Sequence, residues 1–348
     1  MAKNTIADTV NPPKGAHMQR ISLIDTHCDT ASRIYSGDAS IVNNAYHVSL
    51  DNAKKYKNYT QYFAVWADSR LSDEEAYRDF LNISDYLFSD INANKSRISL
   101  VRTYEEMDEA WKEGKAAAFL AVEDARILAG KLERLDELKA RGVKYLTLLW
   151  GGETCIGASH DVDGSLTEFG IQVVKKCFEN GIIPDVSHAN ERVTDQVCEI
   201  AFEYNKPFIA THSDCYEVFS HTRNLRQKHL DALIKLGGTV GLNLCTWHIK
   251  KMLLDGVPNA DYSNVDELVF DKCTIDDLMR HVEGFLEQGA ENALCLGCDL
   301  DGTDLPDGFS GVQDVEKIAD AMAQRGYSDE LIEKVFWRNQ LEFIKKNF

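Results

Sequence analysis

From residue 21 onward, short apolar runs alternate with longer stretches in which apolar positions recur at helical spacing. The short runs predict strands at 21–25, 60–66, 116–123, 145–149, 182–186, 208–211, 239–244 and 293–297. The amphipathic stretches between them predict helices at 74–92, 132–140, 168–180, 191–204, 228–236 and 275–288. Asp73, Asn190 and Thr274 stand where N-caps are expected, since a short polar side chain there accepts from the unpaired N–H groups of the first turn.

Strands separated by helices mark a parallel α/β protein, because parallel neighbours need a long crossover that a helix supplies. Eight such strands, with no glycine-rich dinucleotide fingerprint after the first, favour a closed (β/α)8 TIM barrel over an open sheet. No linker rich in Pro, Gly or Ser divides the chain, so a single barrel domain with extra loops is expected over residues 21–348, the longest loop at 244–274. Residues 1–20 lack apolar periodicity and are expected to form a flexible extension, in which Gly15-Ala16-His17-Met18 resembles a cloning remnant.

Charge narrows the partners. Acidic residues outnumber basic ones by 56 to 38, for a formal charge of -18, and such a surface repels phosphate backbones, so nucleic acid is not expected. No apolar run reaches the roughly 20 residues that a bilayer span requires, so no membrane segment is expected either. The nine cysteines, an odd number with no secretory leader ahead of them, point to a reducing, cytoplasmic compartment. Cys295 and Cys298 have C-x-x-C spacing but no second pair nearby, which favours a structural role over a zinc site. The sequence leaves a homodimer open.

In a barrel of this kind the active site is built where strands end at their carboxyl side. The first predicted strand runs into Asp25-Thr26-His27-Cys28-Asp29, and in extended chain His27 and Asp29 share a face. The third ends in Glu123, the fifth leads to His188, the sixth to His212, and the eighth to Asp299 and Asp301. Singly, each has an ordinary reading as a cap, a surface carboxylate or a hydrogen-bonded core histidine. Together on one rim, three imidazoles and two or more carboxylates form a nitrogen and oxygen donor set suited to zinc, and less specifically to manganese, iron or cobalt. A carboxylate can bridge two such ions, and a two-metal centre performs hydrolysis.

The chain resembles the membrane dipeptidase (renal dipeptidase) family of metallopeptidases, within the amidohydrolase-type barrels. The resemblance runs from about residue 21 to the C-terminus and is carried by Ile24-Asp25-Thr26-His27-Cys28-Asp29, Leu166-Thr167-Glu168-Phe169-Gly170, Asp185-Val186-Ser187-His188, Ala210-Thr211-His212-Ser213, Thr222-Arg223-Asn224-Leu225 and Gly297-Cys298-Asp299-Leu300-Asp301-Gly302. It implies two zinc ions per chain, one on His27 and Asp29, the other on His188 and His212, with Glu123 bridging them. It further implies that Asp299 is the general acid/base, that Arg223 receives the substrate's C-terminal carboxylate, and that a metal-bridging hydroxide attacks the peptide bond of a dipeptide. One departure follows the fourth predicted strand, where the family commonly has a substrate-contacting histidine and this chain has Trp150. An indole donates one hydrogen bond but cannot accept a proton, so Trp150 is expected to line the substrate pocket differently, with His160 as a spatial substitute. Related barrels that cleave N-acyl amino acids, lactones or phosphotriesters share the metal logic and are the alternatives, and a metal-free scaffold barrel is a third reading.

Overall fold

A computed structural model describes residues 20–251 and 272–348, so the N-terminal extension expected over residues 1–20 lies, save for Arg20, outside the described residues, as does most of the 244–274 loop. Its strands are β1 (Leu23–Cys28), β2 (Tyr59–Trp66), β3 (Ile98–Leu100), β4 (Ala116–Glu123), β5 (Val143–Thr147), β6 (Ile183–Asp185), β7 (Val240–Leu242) and β8 (Leu294–Leu296). All are parallel, in the order β6-β5-β4-β2-β1-β8-β7. The ends of that path are joined by single parallel bridges, Asp185 to Ile209 and Ala210 to Val240. Residues 209 and 210 are therefore the remaining stave, and the sheet closes into the TIM-type α/β barrel expected from the sequence.

Each of the eight predicted runs coincides with one stave. The extra strand β3 was not anticipated: it is three residues long and pairs only with the start of β4, Ile98 against Ala116, where β5 has not yet begun. So short a run carries no readable alternation. The first strand is also longer than its apolar stretch suggests. Asp25 is buried, but its Oδ1 accepts the backbone N–H of His27 at 3.2 Å and of Cys298 at 3.0 Å, so the strand continues through polar residues to Cys28.

The helices pack one apolar stripe inward. In Asp73–Ala93 the buried Ala76, Tyr77, Phe80, Ile83, Leu87 and Ile91 recur at three- and four-residue spacing. Asn190 and Thr274 cap their helices as expected, through bonds from Val193 N–H and Asp277 N–H. Ser72, not Asp73, caps the helix Asp73–Ala93, because its hydroxyl accepts Glu75 N–H while the Glu75 carboxylate accepts Ser72 N–H. All nine cysteines are free, Cys295 and Cys298 among them.

Candidate metal centre and substrate pocket

The carboxyl ends of the staves converge on one cluster. His27 is the fifth residue of β1, and Asp29 follows as the N-cap of the helix Thr30–Ser36. The register against β2 gains one residue between Asp25 and Cys28, a bulge that re-aims His27. His27 and Asp29 thus meet through a bulge and a helix start, not through the alternation of a regular strand. Glu123 is the last residue of β4, His188 lies three residues past β6, His212 follows the bridged stave, and Asp299 lies three past β8.

The Glu123 carboxylate stands at the middle. Its Oε2 is 3.6 Å from His27 Nε2, and its Oε1 is 2.9 Å from His188 Nε2 and 3.4 Å from His212 Nε2. Asp29 Oδ2 lies 3.6 Å and Asp299 Oδ1 3.9 Å from His27 Nε2. His27, Glu123 and His212 form one compact donor group and His27, Asp29 and Asp299 another.

The tautomers follow from the outer partners. The Tyr145 hydroxyl donates to the Thr26 carbonyl (2.9 Å), so at 3.0 Å it accepts from His27 Nδ1. The Thr211 hydroxyl donates to Asp185 Oδ2 (2.6 Å), so at 2.8 Å it accepts from His212 Nδ1. His188 Nδ1 lies 3.0 Å from the Trp150 carbonyl, which can only accept. All three imidazoles therefore have a proton on Nδ1 and turn Nε2 toward Glu123. His188 Nε2 and His212 Nε2 are 2.9 Å apart with no proton to share, and His27 Nε2 and Asp29 Oδ1 are buried without a hydrogen-bond partner. Lone pairs and carboxylates packed together in this way suit divalent cations.

The electrostatics agree for two of the three rings. Burial, with the Arg223 cation nearby, holds His188 well below the usual imidazole range, and burial beside His27 does the same to His212, so both rings are neutral. Burial works to lower His27 as well, but the Glu123 and Asp29 carboxylates hold it well above the usual range, so without a cation beside it His27 takes a second proton on Nε2, the position a metal ion would occupy. Burial and the Asp29 charge push Glu123 up, and burial also raises Asp299.

Above the cluster opens a cavity of about 840 Å³, bordered by Asp29, Glu123, His188 and Asp299 and, farther along its wall, by Arg223 and Trp150. Arg223 is 3% exposed. Its Nη2 donates to the His212 carbonyl at 3.3 Å, while Nε and Nη1 have no partner. Buried guanidinium donors left open beside a cavity suit an anionic ligand.

The sequence profile of the membrane dipeptidase family, peptidase family M19, matches residues 15–347. The chain belongs to that family. A protein from the pqqA 5′ region of Klebsiella pneumoniae is 27% identical over 68% of this chain and 84% of its own length. The dipeptidase verJ of Clonostachys rogersoniana is 27% identical over 78% of this chain and 65% of its own length. An uncharacterized dipeptidase of Schizosaccharomyces pombe is 27% identical over 67% of this chain, which spans only 53% of that protein. Among solved structures, dipeptidase AC superposes with a TM-score of 0.83 at 23% identity, covering 94% of this chain and 99% of that one. A metallopeptidase from Rhodobacter sphaeroides, liganded with a phosphinate mimic of L-Ala-D-Ala, superposes at 0.81 with 22% identity, covering 95% of this chain and 100% of its own. These two likenesses establish a shared fold.

Trp150 lies on the wall of that cavity. Its indole meets Trp66 edge-on at 5.0 Å, and its carbonyl fixes the His188 tautomer. His160 reaches the same wall from the loop after β5. Its N–H donates to the His188 carbonyl at 2.7 Å, its ring lies 5.6 Å from the His188 ring, and its Nδ1 is buried without a partner. Burial and Arg223 lower its pKa to about 4, so it is a neutral imidazole at the cavity edge. Tyr145 and Thr211, which orient His27 and His212, were not recognisable from the sequence. Tyr145 reads as a strand aromatic, and nothing local signals that its hydroxyl reaches a stave three places away.

Proposed function

We propose that this M19 member hydrolyses the peptide bond of dipeptides with two divalent metal ions, most simply zinc. The observation that carries the proposal is the Glu123 carboxylate, with one oxygen toward His27 and the other toward His188 and His212, all three rings turning Nε2 to it. His27 and Asp29 would hold one ion, His188 and His212 the other, and Glu123 both. When bound, such ions supply an activated water at neutral pH and polarise the scissile carbonyl.

The chain's own residues do the rest. Asp299, with Oδ1 at the cluster and its carboxylate at the cavity wall, takes the proton released by the attacking water and returns it to the departing amine. Arg223 binds the substrate's free carboxylate through its open nitrogens and aligns the scissile bond. Trp150 and Trp66 shape the wall and exclude water. We read the activity as that of one barrel domain over residues 21–348, working in the cytoplasm. Among the described residues, no helix is long and apolar enough to cross a membrane.

The test is a dipeptide library assayed with metal-restored protein, including L,D pairs, N-acetyl amino acids, lactones and a phosphotriester. Turnover of dipeptides with a free carboxylate is expected. Turnover confined to N-acyl amino acids or lactones would replace this reading with a neighbouring amidohydrolase activity, and failure to take up metal would favour a scaffold.

A further inference from the structure

Asn243, the residue after β7, is fully buried. The backbone N–H of Cys245 donates to its Oδ1 at 2.7 Å, which fixes the amide orientation because only the oxygen can accept. Its Nδ2 then donates to Asp299 Oδ2 and to the His212 carbonyl, each at 3.3 Å. The same carbonyl accepts from Arg223 Nη2, also at 3.3 Å. One amide thus ties back the Asp299 oxygen that faces away from His27 and leaves Oδ1 toward the cluster.

We propose that Asn243 is the positioning residue for Asp299: it holds the carboxylate in the rotamer that presents one oxygen to the reacting atoms, and links that carboxylate to the carbonyl on which Arg223 rests. The proposal rests on the reading of Asp299 as the proton-transfer group. A freely rotating carboxylate spends less time within reach of the proton it must move, so the loss belongs in kcat.

Asn243→Ala should lower kcat on a turned-over dipeptide by about 10- to 100-fold, with KM and bound metal little changed. The deciding measurement is a double-mutant cycle with Asp299→Asn, read alongside metal content and the thermal transition. If Asn243 acts through Asp299, removing it costs less than about twofold further in kcat once Asp299→Asn is present. Losses that multiply, or a fall in bound metal, overturn the proposal while leaving the Asp299 reading intact. Full activity of Asp299→Asn alone overturns both. Should Asn243→Ala fail to fold, Asn243→Leu carries the same test, because it fills the space of the amide and has no donor for Asp299.

Discussion

Asp124, His188, Asp299 and Asp301 hold positive φ angles of 79°, 74°, 55° and 70°, a region that residues with a Cβ seldom enter. His188 and Asp299 belong to the cluster, and Asp124 and Asp301 follow Glu123 and Asp299 by one and two residues, where the chain turns sharply off a stave. Gly302 completes one of these turns. A Cβ there would run into Asp29 Oδ2 and Asp299 Oδ1, so Gly302→Ala should displace both carboxylates and lower metal content and kcat/KM together, by about 10-fold or more. Normal activity with full metal would show that the turn has slack. Asp299→Asn should behave differently, lowering kcat by about 10²–10⁴-fold with metal retained, since an amide cannot shuttle a proton. For Arg223→Met, kcat/KM on free-acid dipeptides should fall by about 10- to 150-fold, corresponding to roughly 1.5–3 kcal/mol for a charged hydrogen bond, and much less on C-terminal amides. Equal losses on acid and amide would remove Arg223 from substrate recognition.

At the scale of elements, the polar residues that end the staves do two jobs. Asp185, the last residue of β6, accepts five hydrogen bonds: from the Ser187 N–H and hydroxyl, the Thr211 N–H and hydroxyl, and the Thr147 hydroxyl. It ties β5, β6 and the bridged stave together and, through Thr211, sets the His212 tautomer. Asp185→Leu would leave those donors buried without partners and should destabilise the fold by about 3–5 kcal/mol, seen as a lower urea midpoint. A midpoint unchanged within error would show that water satisfies them. The staves and helices themselves were largely legible, since 168–180 and 191–204 match Glu168–Asn180 and Glu191–Tyr204 in the structure. The Ser72 cap was missed because Ser72 and Asp73 offer the same local signal, and only the reciprocal Glu75 bond separates them.

For the whole molecule, metal and fold stability are coupled, because a site assembled from residues as distant as His27 and Asp299 exists only in the folded barrel. Free metal at about 100 times its dissociation constant should add roughly 2.7 kcal/mol to unfolding, so chelation should lower the thermal transition by several degrees and restoration should reverse it. An identical transition with and without metal would argue against a binding site built by the fold. Elemental analysis of the restored protein should find two ions per chain, and a stoichiometry fixed at one with hydrolysis intact would remove the binuclear mechanism.

The sequence by itself determined the staves, the helices and the kinds of side chain at each strand's end, because apolar period and residue type are local properties of the chain. It brought His27, Asp29, Glu123, His188, His212 and Asp299 to one rim by counting strands, and family resemblance divided their roles. Barrel closure decided the rest. The bulge at His27, the tautomers set by Tyr145, by the Trp150 carbonyl and by Asp185 through Thr211, the arrival of His160 at the cavity and the link from Asn243 to Asp299 all depend on residues remote in sequence. Their geometry depends on how the eight staves are registered around the axis, a long-range quantity that no local window of the chain contains.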